Sequence, residues 1–292
     1  MTDSRATVFA LFTKALKRLF ADEAIPLAGN ISFRIIFSIF PFLIFLTTLA
    51  GFFGSEALAE QIVNFLLSVA PAQLVKPLSS EIHAILTVPR TGLLSISALL
   101  TIWSAMGGVD SVRVGLNRAY DLQDTRPIWY LYLQNVLIII GAAILLLIVA
   151  LLIVVYPVAF NVIATYAPSQ LANFASLDHL RYPIAMLLLF SGLLFAHRIL
   201  PAQSLPFRHL LPGVSLTVLV WIGLSAAFSL YLQNFNSFAS TYASLSGLFA
   251  AMFFIYQAAL VLIFGGEVNR VITLIRLTHE PDAPRSPQSD QT

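Results

Sequence analysis

The chain has 292 residues, of which 58% are hydrophobic and 10% charged, and its formal net charge is +2. That much apolar surface cannot be hidden inside a soluble globule of this length, so a soluble enzyme or binding domain is excluded and the chain belongs in a membrane. Cysteine is absent, which removes disulfides, thiolate catalysis and Cys-based metal sites.

The opening "MTDSRATVFALFTKALKRLF" is basic but lacks a long apolar core ahead of a small-residue cleavage site. It reads as a retained amphipathic segment over residues 1–25 rather than a signal peptide. A bilayer core of about 30 Å takes about 20 apolar helical residues per crossing. Six windows meet that length: Leu27–Phe53, Gly92–Val112, Trp129–Tyr156, Tyr182–Leu200, Leu210–Gln233 and Ser246–Val268. They make a transmembrane domain over residues 26–276, followed by a Pro- and Ser-rich tail, 277–292, too poor in apolar residues to offset the entropy of ordering.

Two charge and shape features of the first span stand out. Arg34 lies within it, and Pro41 removes the N–H that would satisfy the Phe37 carbonyl, which predicts a kink. If the helix starts near Pro26, Arg34 is about 12 Å along the axis at 1.5 Å per residue, in the inner half of the bilayer. Arg34 is therefore expected to point into the bundle toward Glu267 or Asp110, since an ionised group in lipid normally finds a partner or water.

Between the first two spans, "SEALAEQIVNFLLSVA" aligns Leu58, Ile62, Phe65, Leu66 and Val69 on one helical face, and "AQLVKPLSSEIHAILTV" aligns Leu74, Leu78, Ile82 and Ile85. Both are too short and too charged to cross, so they are predicted to be external amphipathic helices. The second span closes on "WSAMGGVDSVRVGLNRAYD", where Trp103, Asp110, Arg113 and Asn117 recur at helical spacing. Gln134 and Asn135 enter the third span, Gln257 lies in the sixth, and the sixth ends with Glu267 three residues before Arg270. Arg34, Asp110, Arg113, Asn117 and Glu267 are thus candidates for a polar pathway; the alternative is that Asp110 with Arg113, and Glu267 with Arg270, are local ion pairs at the membrane boundary. Ser104 with Gly108, and Gly223 with Ala227, have the spacing of small residues that lets helices approach closely.

Placing Lys and Arg on alternate sides puts Arg5, Lys14, Lys17, Arg18, Arg113, Arg118, Arg126, Arg198, Arg208, Arg270, Arg276 and Arg285 together, against Lys76, Arg90 and Arg181. The positive-inside rule then predicts that both termini are cytoplasmic. These basic residues alternate with acids, which is a topology signal and not a nucleic-acid stripe. The histidines form no HExxH pair, and no phosphate loop or GxSxG elbow occurs, so no catalytic residue, metal site or cofactor is assigned.

Three stretches carry a resemblance: "LAGNISFRIIFSIFPFLIFL", "WSAMGGVDSVRVGLNRAYD" with its Asn-Arg-x-Tyr, and "FASTYASLSGLFAAMFFIYQAALVLIFGGEVN". Together they resemble the YihY/BrkB-like inner-membrane proteins, once grouped under a ribonuclease BN name. Arg34 stands where that family's pattern has a tyrosine, and Ala243 follows Tyr242 where the pattern has a glycine, in what reads as an external loop motif of Thr241 and Tyr242. The resemblance implies a six-helix protein of the bacterial inner membrane, of poorly defined activity, linked in places to envelope or lipid functions. It does not imply a ribonuclease, whose hydrolysis would use His and Asp clusters that this sequence lacks. The expectation is an all-α polytopic membrane protein, non-enzymatic, that transports or translocates a lipid-like or small amphiphilic molecule. Its partners are membrane lipids, with a homo-oligomer or an envelope partner protein left open and nucleic acid excluded. A structural or regulatory protein of envelope assembly is the alternative; a lipid-modifying enzyme lacks a visible catalytic group.

Overall fold

The structure, a computed structural model, describes residues 2–53, 91–156, 179–234 and 239–279, with residues 60 and 64. Among them the regular elements are seven α-helices, and there is no strand: α1 Thr2–Ala21, α2 Ala24–Phe53, α3 Thr91–Tyr120, α4 Ile128–Ala150, α5 Arg181–Ile199, α6 Phe207–Asn234 and α7 Ala239–His279. A π-helical turn, Leu151–Val155, prolongs α4. By contact the chain forms two compact units, one of Met1–Asn30 with Val112–Thr292 and one of Ile31–Ser111.

In the first unit α7 packs against α6 and α1, and α5 packs against α6 and α4. The ends of these elements follow from local chemistry. At the end of α3, Asp121 adopts a left-handed φ of 56°, the Asp121 N–H donates to the Arg118 carbonyl at 3.0 Å, and the Leu122 N–H reaches back to Asn117 at 2.8 Å. That pair of bonds is the Schellman closure, which satisfies carbonyls the helix would otherwise orphan, and Asp is among the few side chains that tolerate the required backbone. Glu23 repeats the left-handed turn between α1 and α2, also with φ 56°.

The burial pattern is inverted relative to a soluble protein. Leu133, Leu137, Ile140, Ile144 and Leu147 of α4 are exposed, whereas the buried residues of that helix are Gln134 and Asn135. Elsewhere His197, Thr217, Glu267 and Asn269 are completely buried. Lipid tails solvate leucine as well as a core does but offer nothing to an amide or a carboxylate, so polar groups turn inward. The chain is therefore a polytopic, all-α membrane protein.

Among the described residues five segments are long and apolar enough to cross: Ala24–Phe45, Ile128–Ile153, Arg181–Ile199, Phe207–Tyr231 and Gly247–Ile275. The predicted second span, Gly92–Val112, lies on α3 and is not among these five; Ser95, Ser97, Thr101, Ser104, Gly107, Gly108 and Asp110 interrupt its apolar run. Two helices also outrun their predicted spans. α3 continues to Tyr120 and α7 to His279, because nothing in "VRVGLNRAY" or "NRVITLIRLTH" breaks a helix once it leaves the bilayer. Thr241 and Tyr242, expected in a loop, fall in the first turn of α7. Pro41 lies inside α2. The two amphipathic helices predicted between the first two spans, and the tail from residue 280, lie outside the described residues.

Candidate functional site

The polar residues that the first unit draws together come from the ends of α1 and α3, the α3–α4 connection, the start of α4, the end of α5, and the inner turns of α6 and α7. They form three groups.

The first is a buried chain of hydrogen bonds. The Gly213 N–H donates to Asn269 Oδ1 at 2.6 Å, Asn269 Nδ2 donates to the Tyr120 hydroxyl at 3.0 Å, and that hydroxyl lies 2.8 Å from His197 Nδ1. Tyr120 thus accepts from Asn269 and shares a second hydrogen bond with His197, whose direction follows the imidazole tautomer. Burial holds the Tyr120 phenol protonated, with its pKa raised above the ordinary value. His197 Nε2 has no hydrogen-bond partner among the described residues, an expensive position for a buried polar atom.

Close packing of α6 on α7 makes this chain possible. A Cβ on Gly213 would lie 2.0 Å from the Gly265 carbonyl oxygen, and one on Gly265 would lie 2.1 Å from Thr217 Oγ1. Thr217 Oγ1 donates to the Gly213 carbonyl at 2.9 Å, and Trp221 Nε1 donates to the Ala258 carbonyl at 2.9 Å. By contrast, a Cβ on Gly223 would meet nothing within 4 Å; the small-residue spacing of Gly223 and Ala227 marks no close approach of helices at Gly223 among the described residues. Spacing along one helix cannot tell which face a neighbour occupies.

The second group surrounds Arg126, on the connection that leads to Pro127 at the N-cap of α4. Arg126 holds Asp124 through Nε to Oδ1 at 2.8 Å and Nη2 to Oδ2 at 2.7 Å. It also donates to the Leu200 carbonyl at 2.8 Å and to Gln134 Oε1 at 3.1 Å, while Gln134 Nε2 donates to the Ile199 carbonyl. One guanidinium and one amide thereby satisfy the carbonyl end of α5, where the helix dipole favours a cation. Asn117 Nδ2 donates to Asp124 at 3.2 Å, its Oδ1 accepts from the Ala202 N–H at 2.7 Å, and Arg113 Nε stands 3.7 Å from Asp124. Hydrogen bonding from Arg126 is the main reason the Asp124 pKa falls to about 2; the same contact raises that of Arg126.

The third group is ionic. Glu267 is fully buried and Arg18 Nε of α1 stands 3.7 Å from it, yet neither carboxylate oxygen nor that Nε makes a hydrogen bond among the described residues. Asp22 also faces Glu267. Arg270 lies 3.9 Å from Asp22 and donates to Asp121.

Of the candidates named from sequence, Arg113, Asn117 and Glu267 are brought into this first unit, Arg113 and Asn117 on Asp124 and Glu267 beside Arg18. Arg34 and Asp110 belong to the second unit, where the exposed Arg34 guanidinium reaches the Gly107 carbonyl at 3.5 Å, one helical turn before Asp110. Arg18, Tyr120, Asp124, Arg126, His197 and Asn269 were not singled out from sequence. Tyr120 and Asn269 both lie within stretches that carried the family resemblance, which was the available signal. Among the described residues, no three His, Asp or Glu side chains converge as a metal would require.

An apolar groove of about 590 Å³ runs between α4 and α5, lined by Leu133, Leu137, Ile138, Leu145 and Phe195, with Gln134 at one end and Gly141 and Gly192 in its walls. It faces outward from a span that buries almost nothing.

Residues 15–290 match the family model of virulence factor BrkB. The chain is 28% identical over 264 residues to a ribonuclease-like protein, YfkH, of Bacillus subtilis, an alignment that covers 88% of this chain and 94% of that one. It is 28% identical over 98 residues to a UPF0761 membrane protein of Xanthomonas campestris, covering 34% of this chain and 23% of that protein, and equally to one of Xanthomonas axonopodis. No solved structure matches the chain.

Proposed function

Because the chain belongs to the BrkB family of membrane proteins, we propose that it is a non-enzymatic carrier of the bacterial inner membrane that moves a lipid-like or small amphiphilic molecule. The observation that carries this reading is Glu267. A completely buried carboxylate that faces a second carboxylate, Asp22, and an arginine at 3.7 Å, with no N–H donor to either oxygen among the described residues, is costly unless the surrounding polar groups can rearrange around a ligand or ion. A purely structural bundle would gain from replacing it with an apolar residue. The exposed apolar groove between α4 and α5 offers room for an acyl chain beside the polar network at Gln134.

In this reading α3 is the sixth crossing, both termini are cytoplasmic as the Lys and Arg distribution favours, and Arg113, Asn117 and Glu267 line the polar route of the first unit, with Arg34 and Asp110 the polar candidates of the second. With no nucleotide-binding motif in the sequence, movement is downhill, driven by an ion gradient or dependent on another subunit. The ribonuclease-like name belongs to YfkH, and no hydrolytic site is proposed here.

Reconstitution tests it. In liposomes carrying a fluorescent phospholipid, with and without a proton or sodium gradient, the protein should expose inner-leaflet label to an external quencher faster than protein-free liposomes. Glu267→Gln and Asp110→Asn, at equal reconstitution, should lose that activity. Wild-type liposomes indistinguishable from empty ones would favour the envelope-assembly role instead.

A further inference from the structure

A second hollow, of about 400 Å³, opens in the first unit where the α1–α2 turn meets the end of α3. Leu27 and Val114 give it an apolar wall, and Glu23, Arg118, Asn117 and Asp124 give it a polar one. Asp124 and Asn117 are already spoken for, by Arg126, by Arg113 and by each other. The other two charges are not: among the described residues neither the Glu23 carboxylate nor the Arg118 guanidinium has a side-chain partner. One free negative and one free positive charge thus border a single hollow without pairing across it.

Their depth is informative. Glu23 immediately precedes the apolar segment Ala24–Phe45. Arg118 lies six residues beyond the predicted span end at Val112, roughly 9 Å at 1.5 Å per residue. With the spans as predicted from sequence, both fall at the level of lipid headgroups, with Leu27 and Val114 on the bilayer side.

We propose that this hollow is a binding site for a zwitterionic phospholipid headgroup with a primary amine, of the phosphoethanolamine type. The phosphate takes Arg118 and the ammonium takes Glu23, each through a charge-assisted hydrogen bond. An anionic headgroup would satisfy Arg118 but face Glu23 with like charge. A quaternary amine has no N–H to donate and is normally held by an aromatic cage, and no aromatic residue among the described residues lines this hollow. The site names a substrate class for the carrier proposed above and rests on that reading for its role, though not for its binding chemistry.

The test uses the purified full-length chain. Native mass spectrometry with equal amounts of phosphatidylethanolamine, phosphatidylcholine and phosphatidylglycerol should show the first retained over the others by about tenfold. Arg118→Gln and Glu23→Gln should each bring that ratio to near one. Both side chains are exposed, and a circular dichroism melt would report whether the variants stay folded. Phosphatidylglycerol retained as well as or better than phosphatidylethanolamine, or an ethanolamine preference unchanged in both variants, would overturn the site. Soluble glycerophosphoethanolamine competing on equal terms with the lipid would assign the hollow to a free zwitterion and overturn the lipid assignment. Lipid movement in liposomes is scored separately: selective binding without movement would leave the site standing and sink the carrier reading, and movement with no headgroup preference would sink the site alone.

Discussion

At Asp124 a single carboxylate ties the α3–α4 connection back to α3 and holds the arginine that closes α5, and its chemistry sets a pH dependence. Its folded pKa, about 2, is below the ordinary value of about 3.9, so the unfolded chain takes up the proton first. The resulting stabilisation is complete above the ordinary value and drains as pH falls from about 5 toward 2, amounting to about 2 kcal/mol. Thermal unfolding in detergent across that window should show the loss, and Asp124→Asn should flatten it. At neutral pH the same variant takes from Arg126 the carboxylate that it holds through two hydrogen bonds and should cost about 3 kcal/mol. Tyr120 makes a parallel case without charge. Tyr120→Phe strands Asn269 Nδ2 and His197 Nδ1 in a buried site, for a cost of about 2 kcal/mol. A double-mutant cycle with Asn269→Leu should show strong non-additivity, since the two residues share one bond; additive effects would mean the chain of bonds does not act as a unit.

Helix against helix, the decisive contact is Gly213 on Gly265. Alanine in a helix gains roughly 1 kcal/mol over glycine from backbone entropy alone, so glycine-to-alanine changes separate open positions from closed ones. Gly29 and Gly141 would meet nothing within 4 Å, and alanine at either should leave the melting temperature unchanged or higher. Gly213→Ala drives a methyl into the backbone oxygen of Gly265, which cannot rotate away. It should force α6 from α7, break the Gly213–Asn269 bond and cost more than about 3 kcal/mol, measured as loss of folded protein on gel filtration. Gly192→Ala is intermediate, because its methyl would meet a terminal methyl of Leu145 that can change rotamer.

Across the whole molecule, the topology can be tested on a chain with no native cysteine. Ser55→Cys, Ser169→Cys and Ser237→Cys should react with an impermeant maleimide in intact cells, and Ser286→Cys only after permeabilisation. Labelling of Ser286→Cys alone would invert the orientation. The same experiment decides whether α3 crosses, because a chain with one crossing fewer would put the Ser55 position and the Ser169 position on opposite sides.

Membrane residence, helical class and most of the crossing helices were determined by the sequence alone, because length and hydropathy of a segment are local quantities and the bilayer imposes a fixed thickness on them. The inward turn of Gln134 and Asn135 could be foreseen for the same reason: lipid offers no partner to an amide. Partner identity could not. That Glu267 has Arg18 of α1 beside it, that Tyr120 joins His197 to Asn269, and that Gly213 rather than Gly223 is the point of close approach all depend on which helix faces which. Lipid-facing and helix-facing apolar residues are chemically alike, so the sequence carries little trace of that choice; only the tertiary structure, by bringing distant polar groups within hydrogen-bonding reach, decided it.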